Sequence, residues 1–239
     1  MEYIIVIPAR MSSSRLPNKP LLRVGNTTLL KLVYDRARLT KAGKVLIAAE
    51  HKDICDYCQS FDLKLFCNML PHLTGTHRCA EAFDYVDKSA VNRWPLDIVV
   101  NWQCDEPLVD PKWIDLLVEG LRNSDADIAT LVSPLDEDDG NENLVKAVVS
   151  DDRCLWFSRT YQSGCVGHIG VYAFRCETLR QLGKLKPSKA SVKEGLEQLS
   201  WIEAGHTIRA VYLDGIPLSV NTQDDYDQLR KWYGKGDNE

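Results

Sequence analysis

The sequence predicts an α/β fold with three αβα layers around a mostly parallel, mixed central sheet. Aliphatic and β-branched runs alternate with helix-like segments through the first half of the chain, a pattern typical of parallel sheets covered by helices on both faces. The second half contains several closely spaced strand-like runs before its last helices. We therefore expect a sheet that is mostly parallel but mixed overall.

The first half predicts four strands and four helices in alternation. The run around Ile4 is β-branched, and Leu29, Leu32 and Val33 share one side of a helix because a helix repeats every 3.6 residues. Pro111 stands at the start of the fourth helix, where its missing N–H costs no hydrogen bond. The strands are expected at 3–7, 45–49, 63–66 and 97–101, and the helices at 29–39, Lys52–Ser60, 80–86 and 111–121.

The second half predicts four strands, at 128–132, 145–149, 154–157 and 170–174. A helix at 191–204, a strand at 207–213 and a final helix at 223–233 follow. No repeat, low-complexity tract or linker interrupts the chain, so 1–233 is expected to form a single domain. A chain of 239 residues can bury a full core without disulfides. The polar tail, 234–239, is expected to be disordered.

The composition excludes several classes of protein. Hydrophobic residues make up 44% and charged residues 26% of the chain, as in ordinary globular proteins. A net charge of −5 leaves no basic excess for nucleic acid, and no apolar run approaches the roughly 20 residues that span a bilayer. The N-terminus lacks the basic segment of a signal peptide. We expect a cytoplasmic protein with neither nucleic acid nor membrane as a partner.

Eight cysteines are scattered along the chain. Without an export signal, reduced thiols are expected, and free cysteines commonly pack in protein cores. The single CxxC pair, Cys55 and Cys58, lacks the second pair of ligands that a zinc site needs. We therefore interpret all eight as buried packing residues.

A cationic loop follows the first predicted strand. Arg10, Arg15 and Lys19 are spaced five and four residues apart, around three serines at 12–14. Ligands of doubly wound sheets bind at the carboxyl ends of the strands, and cations with hydroxyl and backbone N–H groups can surround a polyphosphate. The loop matches neither a Walker A nor a GxGxxG motif. A solvated basic loop is the alternative interpretation.

Two adjacent carboxylates, Asp105 and Glu106, follow the fourth predicted strand and are stopped by Pro107. Magnesium prefers carboxylate oxygens, water and substrate phosphates as ligands, so this pair favours a magnesium site. The alternative for Asp105 is a helix cap.

The acidic run 136–143 lacks EF-hand spacing and is expected to be a solvated turn.

Several colinear motifs resemble one known family over nearly the whole chain. The loop at 8–21 and the segment 103–107 together resemble the 3-deoxy-manno-octulosonate (Kdo) cytidylyltransferases, also called CMP-Kdo synthetases. Further segments similar to this family follow in the family's order, at 72–78, 157–159, 168–172, 196–199 and 220–225.

The resemblance implies a nucleotide-diphospho-sugar transferase fold of Rossmann-like type. It also implies a reaction in which CTP and an acidic sugar give a CMP-sugar and pyrophosphate. Catalysis would consist mostly of positioning and charge neutralisation, with Mg²⁺ as cofactor and the family's usual homodimer as assembly. The implied catalytic residues are Arg10, Arg15, Lys19 and Asp105, and the implied metal ligands are Asp105 and Asn221. The implied nucleotide-binding residues are Pro8, Ala9, Arg10, Ser14, Arg15, Lys19, Thr74, Gly75, Arg78 and Gln103. The implied acceptor-binding residues are Gln103, Arg159, His168, Tyr172, Glu197 and Gln198.

Three departures from the family pattern leave alternatives open. Asn221 stands where the family has a second aspartate ligand, and an amide oxygen brings no charge. Asn18 replaces a loop glycine, although asparagine tolerates left-handed backbone angles. Only 161–167 separates two motifs between which the family has a longer segment. That segment helps to shape the acceptor site and the dimer, so both are open.

Two alternatives accompany the leading hypothesis of a cytidylyltransferase that acts on Kdo or a related 3-deoxy sugar acid. The acceptor could instead be a small phosphonate, whose oxygen is already anionic and needs less help from a second metal ligand. The chain could also be a degenerate nucleotide-binding protein without activity. Magnesium-dependent turnover would distinguish an enzyme from a binding protein.

Overall fold

The structure is a computed structural model and describes residues 2–13, 15–89, 96–135 and 140–234. Its strands are β1 (Glu2–Ala9), β2 (Arg23–Val24), β3 (Thr27–Thr28), β4 (Lys44–Ala49), β5 (Leu65–Cys67), β6 (Leu96–Trp102), β7 (Ile128–Pro134), β8 (Lys146–Ser150), β9 (Arg153–Ser158), β10 (Val166–Arg175) and β11 (Ile208–Tyr212). Its helices are α1 (Leu29–Ala37), α2 (Lys52–Ser60), α3 (Gly75–Ser89), α4 (Pro111–Arg122), α5 (Cys176–Leu182), α6 (Lys189–Glu194), α7 (Gln198–Glu203) and α8 (Gln223–Gly234), with a 3₁₀ turn at Lys19–Leu21.

The central sheet has nine strands in the order β5-β4-β1-β6-β10-β7-β11-β9-β8. The first four of these are parallel neighbours. Strand β10 enters antiparallel between β6 and β7, while β11 is parallel to β7. The β8–β9 hairpin is antiparallel, and β8 also pairs with β10. The predicted mixed sheet is confirmed, with four adjacent parallel strands from the first half of the chain and one parallel pair, β7 and β11, from the second half.

Apolar side chains cover both faces of the sheet. Ile5 and Ile7 of β1 join a cluster with residues of α1, α2, α4 and α8, whereas Ile4 and Val6 join a cluster with residues of α3, α5 and α7. Successive side chains of a strand point to opposite faces, so the uninterrupted apolar run of β1 serves both clusters. The predicted three-layer αβα architecture is confirmed.

The predicted helix at 191–204 is wrong in one respect, because the structure divides it into α6 and α7. Gly195 ends α6 with a φ of 65°, a left-handed conformation that glycine adopts at little cost. The apolar pattern continues across this break and conceals it in the sequence. As a result Glu197 and Gln198 lie at the start of a short new helix, where Gln198 is buried.

The prediction of eight reduced cysteines is wrong for one pair, because Cys55 and Cys67 form a disulfide. Helix α2 packs beside the end of β5, so their Cα atoms lie 6.4 Å apart, within the usual range for a disulfide. The other six are free, and five of them are buried. Burial raises the pKa of the Cys58 and Cys154 thiols to about 12, which fits packing residues.

Some predictions at the periphery fall outside the described residues, namely Ser14, 136–139 of the acidic run and 235–239 of the tail. Gly234, assigned to the disordered tail, is instead the last residue of α8. The single domain over 1–233 stays a prediction. Within the described ranges, no helix is both long and apolar enough to cross a bilayer.

Candidate active site

A cavity of about 490 Å³ opens at the carboxyl end of β6, between that strand, β10 and the segment before α8. It brings together side chains that are far apart in sequence. The sequence-predicted residues that line it are Arg15, Gln103, Asp105, Arg159, His168, Tyr172, Glu197, Gln198 and Asn221. The cavity therefore contains the predicted acceptor-binding set and both predicted metal ligands.

A second group of predicted residues lies next to this cavity, on the β1 side of β6. Pro8 and Ala9 are buried at the end of β1. A Cβ atom on Gly75, the first residue of α3, would lie 3.6 Å from the Pro8 ring, so α3 begins against the end of β1. Thr74 precedes it and is half-buried. The end of β1 and the start of α3 thus form one surface, separate from the predicted acceptor-binding residues.

The two predicted metal ligands are held together by the backbone. The Val220 N–H donates to the Asp105 carbonyl oxygen over 2.8 Å, and the Ser219 hydroxyl donates to the same oxygen over 3.3 Å. These bonds join the loop after β6 to the segment before α8, more than 100 positions later in the chain. Asp105 and Asn221 consequently line the same cavity.

The oxygens of both predicted metal ligands already accept hydrogen bonds from cationic side chains. Lys19 Nζ lies 2.8 Å from Asp105 Oδ2 and 3.1 Å from the Val220 carbonyl oxygen. Arg15 donates to Asn221 Oδ1 over 3.4 Å and to Asn143 Oδ1 over 2.6 Å. Oxygens that hold an ammonium and a guanidinium group are suitable ligands for a hard cation. The residues present therefore fit a divalent metal.

Asp225 also lines the cavity, but its carboxylate serves the start of α8. Its Oδ2 accepts from the N–H groups of Asn221 and Thr222 over 2.9 and 2.7 Å. Within the described ranges, no cluster of three or more His, Cys, Asp or Glu side chains is arranged to hold a metal. A metal here would depend on Asp105, on the neutral Asn221 and on oxygens of the substrates, as is usual for magnesium.

Glu106 was predicted only as the neighbour of Asp105 in a carboxylate pair that favours a magnesium site, with no role of its own. Its carboxyl group lines the cavity, and its Oε1 accepts from the Gly170 N–H over 3.1 Å. Burial, followed by the neighbouring Asp105 carboxylate, raises the pKa of Glu106. A Cβ atom on Gly170 would lie 3.0 Å from Oε1, so any larger residue there would press on the Glu106 carboxyl group. Its position beside Asp105 is the only sequence signal for its place in the site.

Polar side chains of β10 and of the start of α7 line one side of the cavity. This side, called the β10 wall, consists of His168, Tyr172, Glu197 and Gln198. Gln198 Nε2 donates to the Tyr172 hydroxyl, both groups being buried. The Thr130 hydroxyl donates to the Val171 carbonyl over 2.8 Å, so it accepts from His168 Nε2 over 2.9 Å. Burial lowers the pKa of His168 to about 3. His168 is therefore a neutral group with a fixed orientation and is not a cation for binding acids.

Arg78 does not line the cavity. It is fully buried, and both terminal nitrogens of its guanidinium group are occupied. Nη1 donates to the carbonyl oxygens of Ala49 and Asn68 over 3.3 and 2.6 Å, and Nη2 donates to Glu50 Oε2 and the Leu70 carbonyl over 3.0 and 2.6 Å. These contacts tie α3 to the ends of β4 and β5.

Buried polar atoms without a hydrogen-bond partner collect around the two predicted surfaces. They include Arg10 Nη2, Thr76 Oγ1, both amide atoms of Asn101, Glu197 Oε2 and Gln198 Oε1. An unpaired buried polar atom costs free energy, and a polar ligand would supply the missing partners. Asn101 was not predicted as a site residue, because it stands inside a strand-like apolar run.

Comparison with known proteins gives consistent findings. A family model described as cytidylyltransferase matches residues 4–208. A 3-deoxy-manno-octulosonate cytidylyltransferase of Chelativorans sp. (strain BNC1) is 34% identical, with 97% of this chain and 96% of the relative covered. The enzyme of the same name from Brucella suis (strain ATCC 23445 / NCTC 10510) is 36% identical, with 96% and 95% covered.

A comparison with solved structures agrees with the sequence relatives. A solved structure of CMP:2-keto-3-deoxy-manno-octonic acid synthetase, complexed with CTP, matches with a TM-score of 0.87 and 29% sequence identity. The match covers 99% of this chain and 100% of that chain. The similarity therefore includes both halves of the sheet and the edge where the cavity opens.

Proposed function

The chain belongs to the cytidylyltransferase family, and from this premise we propose that it transfers CMP from CTP to 3-deoxy-manno-octulosonate (Kdo) and releases pyrophosphate. The prediction of a CTP-dependent cytidylyltransferase is confirmed, whereas the acceptor is the proposed part. The observation that supports it most is that Asp105, Arg15 and the polar β10 wall line one cavity, with Lys19 paired to Asp105.

In the proposed reaction, the loop cations bind the triphosphate. Arg10, Arg15 and Lys19 neutralise the charge that grows on the leaving pyrophosphate, and fixed cations do this without reorganisation. Pro8 and Gly75, adjacent at the end of β1 and the start of α3, would contact the nucleoside. Asp105 and Asn221 would hold the metal, for which we propose Mg²⁺. When bound, the metal supplies charge neutralisation at the phosphate and a lowered pKa for the attacking hydroxyl.

The polar wall supports a hydroxylated acceptor. Glu197 and Gln198 offer unpartnered buried oxygens, which would accept hydrogen bonds from sugar hydroxyls. Arg159, half-buried at the cavity, carries the charge to bind a carboxylate. A phosphonate would offer few hydroxyl donors and would meet the Glu197 carboxylate. These residues favour the sugar acid over the phosphonate suggested by the short 161–167 segment.

A substrate panel tests this proposal. Pyrophosphate release would be measured with CTP, UTP and ATP, each combined with Kdo, sialic acid and small phosphonates, in the presence of Mg²⁺. We expect release with CTP and Kdo that exceeds every other combination by at least tenfold. Faster release with a phosphonate would replace Kdo by the alternative acceptor. CTP binding without release for any acceptor would indicate a binding protein.

Two further proposals concern the compartment in which the enzyme acts and its oligomeric state. We propose that it acts in the cytoplasm and as a homodimer. Size-exclusion chromatography with light scattering would measure the assembly directly.

A further inference from the structure

The free protein has a cation on each side chain that is proposed to bind the metal. Lys19 Nζ lies 2.8 Å from Asp105 Oδ2, with side chains that are 14% and 23% exposed. Arg15 donates to Asn221 Oδ1 over 3.4 Å. Both cations belong to the loop that is proposed to bind the triphosphate. Lys19 and Arg15 are thus proposed to bind the triphosphate, while in this structure they contact the proposed metal ligands.

A divalent metal and the Lys19 ammonium group compete for the same carboxylate. A magnesium–oxygen bond is about 2.1 Å long, so a metal on Asp105 Oδ2 would lie within about 5 Å of an ammonium group bound to the same oxygen. The charges repel each other, and this half-buried site is screened less than open water. Metal binding therefore requires Lys19 to move away or costs affinity.

An incoming triphosphate removes this conflict. It offers the ammonium group of Lys19 several anionic oxygens in place of the single carboxylate of Asp105. A lysine side chain has several rotatable bonds and carries its charge as a mobile point, so it can change partner while the 3₁₀ turn stays in place. Arg15 can exchange Asn221 for phosphate in the same way.

We propose that Lys19 and Arg15 occupy Asp105 and Asn221 in the free enzyme and transfer to the triphosphate when the nucleotide binds. The inference rests on the metal ligands and the triphosphate site of the proposed function. Metal alone then binds weakly, and nucleotide and metal bind with positive coupling. Coupling of this kind is reciprocal, so each ligand raises the affinity for the other by the same factor.

The test measures two affinities that should change in opposite directions in one variant, Lys19→Met. Mn²⁺ binding to nucleotide-free protein is followed by electron paramagnetic resonance. Binding of a non-hydrolysable CTP analogue is followed by calorimetry in the presence of EDTA. We expect Lys19→Met to bind Mn²⁺ on the order of tenfold more tightly than wild type, and to bind the analogue more weakly by a similar factor.

Two other variants complete the design. Lys44→Met removes the same charge at the exposed start of β4, at the amino ends of the parallel strands and opposite the carboxyl ends where the cavity opens, and should change neither affinity. Asp105→Ala should lose Mn²⁺ binding in the free protein. Circular dichroism confirms that each variant is folded.

Each contrary outcome would overturn a different part of the proposal. Unchanged or weaker Mn²⁺ binding by Lys19→Met would show that Lys19 does not compete with the metal. Unchanged analogue binding would refute its transfer to the triphosphate. Wild-type Mn²⁺ binding by Asp105→Ala would refute the metal site itself. None of these measurements uses an acceptor, so a failure of the proposed acceptor would appear only in the substrate panel.

Discussion

Individual residues in the site are held in defined chemical states by their surroundings. His168 is neutral because burial lowers its pKa, and its Nε2–H group donates a hydrogen bond to the Thr130 hydroxyl. Lys19 is paired with Asp105, and the Tyr172 hydroxyl is paired with Gln198. Of these six residues, the sequence identified five as site residues and missed Thr130, whose role depends on a partner strand. Which atom faces which partner is set by packing and could not be read from the motifs.

The buried His168 predicts a pH dependence of stability. Burial lowers its pKa to about 3 in the folded chain, against about 6.5 in an unfolded chain. Between these values the unfolded state binds a proton that the folded state does not, so stability falls as the pH drops below about 6.5. From pH 7 to pH 5 this single group should cost about 2 kcal/mol.

The measurement compares wild type with His168→Gln, which cannot titrate. Unfolding free energies from urea denaturation at pH 7 and pH 5 should show the wild type losing about 2 kcal/mol more than the variant. Equal losses in the two proteins would mean that His168 is protonated in the folded state.

At the scale of elements, Arg78 connects α3, which starts at the predicted nucleotide-binding residues Thr74 and Gly75, to two strand ends. Its four hydrogen bonds reach the ends of β4 and β5 and the loop that leads to α3. Breaking a buried charged network by removing one partner typically costs several kcal/mol. Arg78 is therefore expected to stabilise this part of the fold, in addition to the nucleotide-binding role predicted from the motif.

We predict that Arg78→Met lowers the free energy of unfolding by about 3 to 5 kcal/mol, measured by urea denaturation. Arg38→Met, at an exposed position after α1, should change it by less than about 0.5 kcal/mol. If Arg78→Met instead kept wild-type stability and lost only CTP affinity, the side chain would act on the nucleotide and not on the fold.

The elements themselves could be predicted to different degrees. Long periodic segments such as α1 and α4 were predicted within a few residues, because apolar spacing and the cap positions mark them. The break at Gly195 was not, since the apolar pattern continues across it. The Cys55–Cys67 disulfide was missed because it depends on how α2 lies beside β5. Pairing across the sheet is a tertiary property and leaves little trace in local sequence.

At the scale of the whole molecule, the fold brings three distant segments to one cavity. The loop after β1, the loop after β6 and the segment before α8 meet at Asp105, through Lys19 and Val220. The motifs predicted these members of the site. They could not predict that Lys19 and Arg15 hydrogen-bond to the proposed metal ligands, or that Glu106 accepts from the Gly170 N–H, because these contacts depend on how the loop after β1, the segment before α8 and β10 pack around the end of β6.

The most direct test of the account follows the α-phosphorus of CTP. CTP labelled with ³²P at this position is incubated with Kdo, Mg²⁺ and enzyme, and the products are separated. We predict that the label appears in a CMP–Kdo ester, in an amount equal to the pyrophosphate released. In Asp105→Ala the rate should fall by roughly a hundredfold or more. Label that stays in CTP, or that appears only as free CMP, would contradict the proposed transfer.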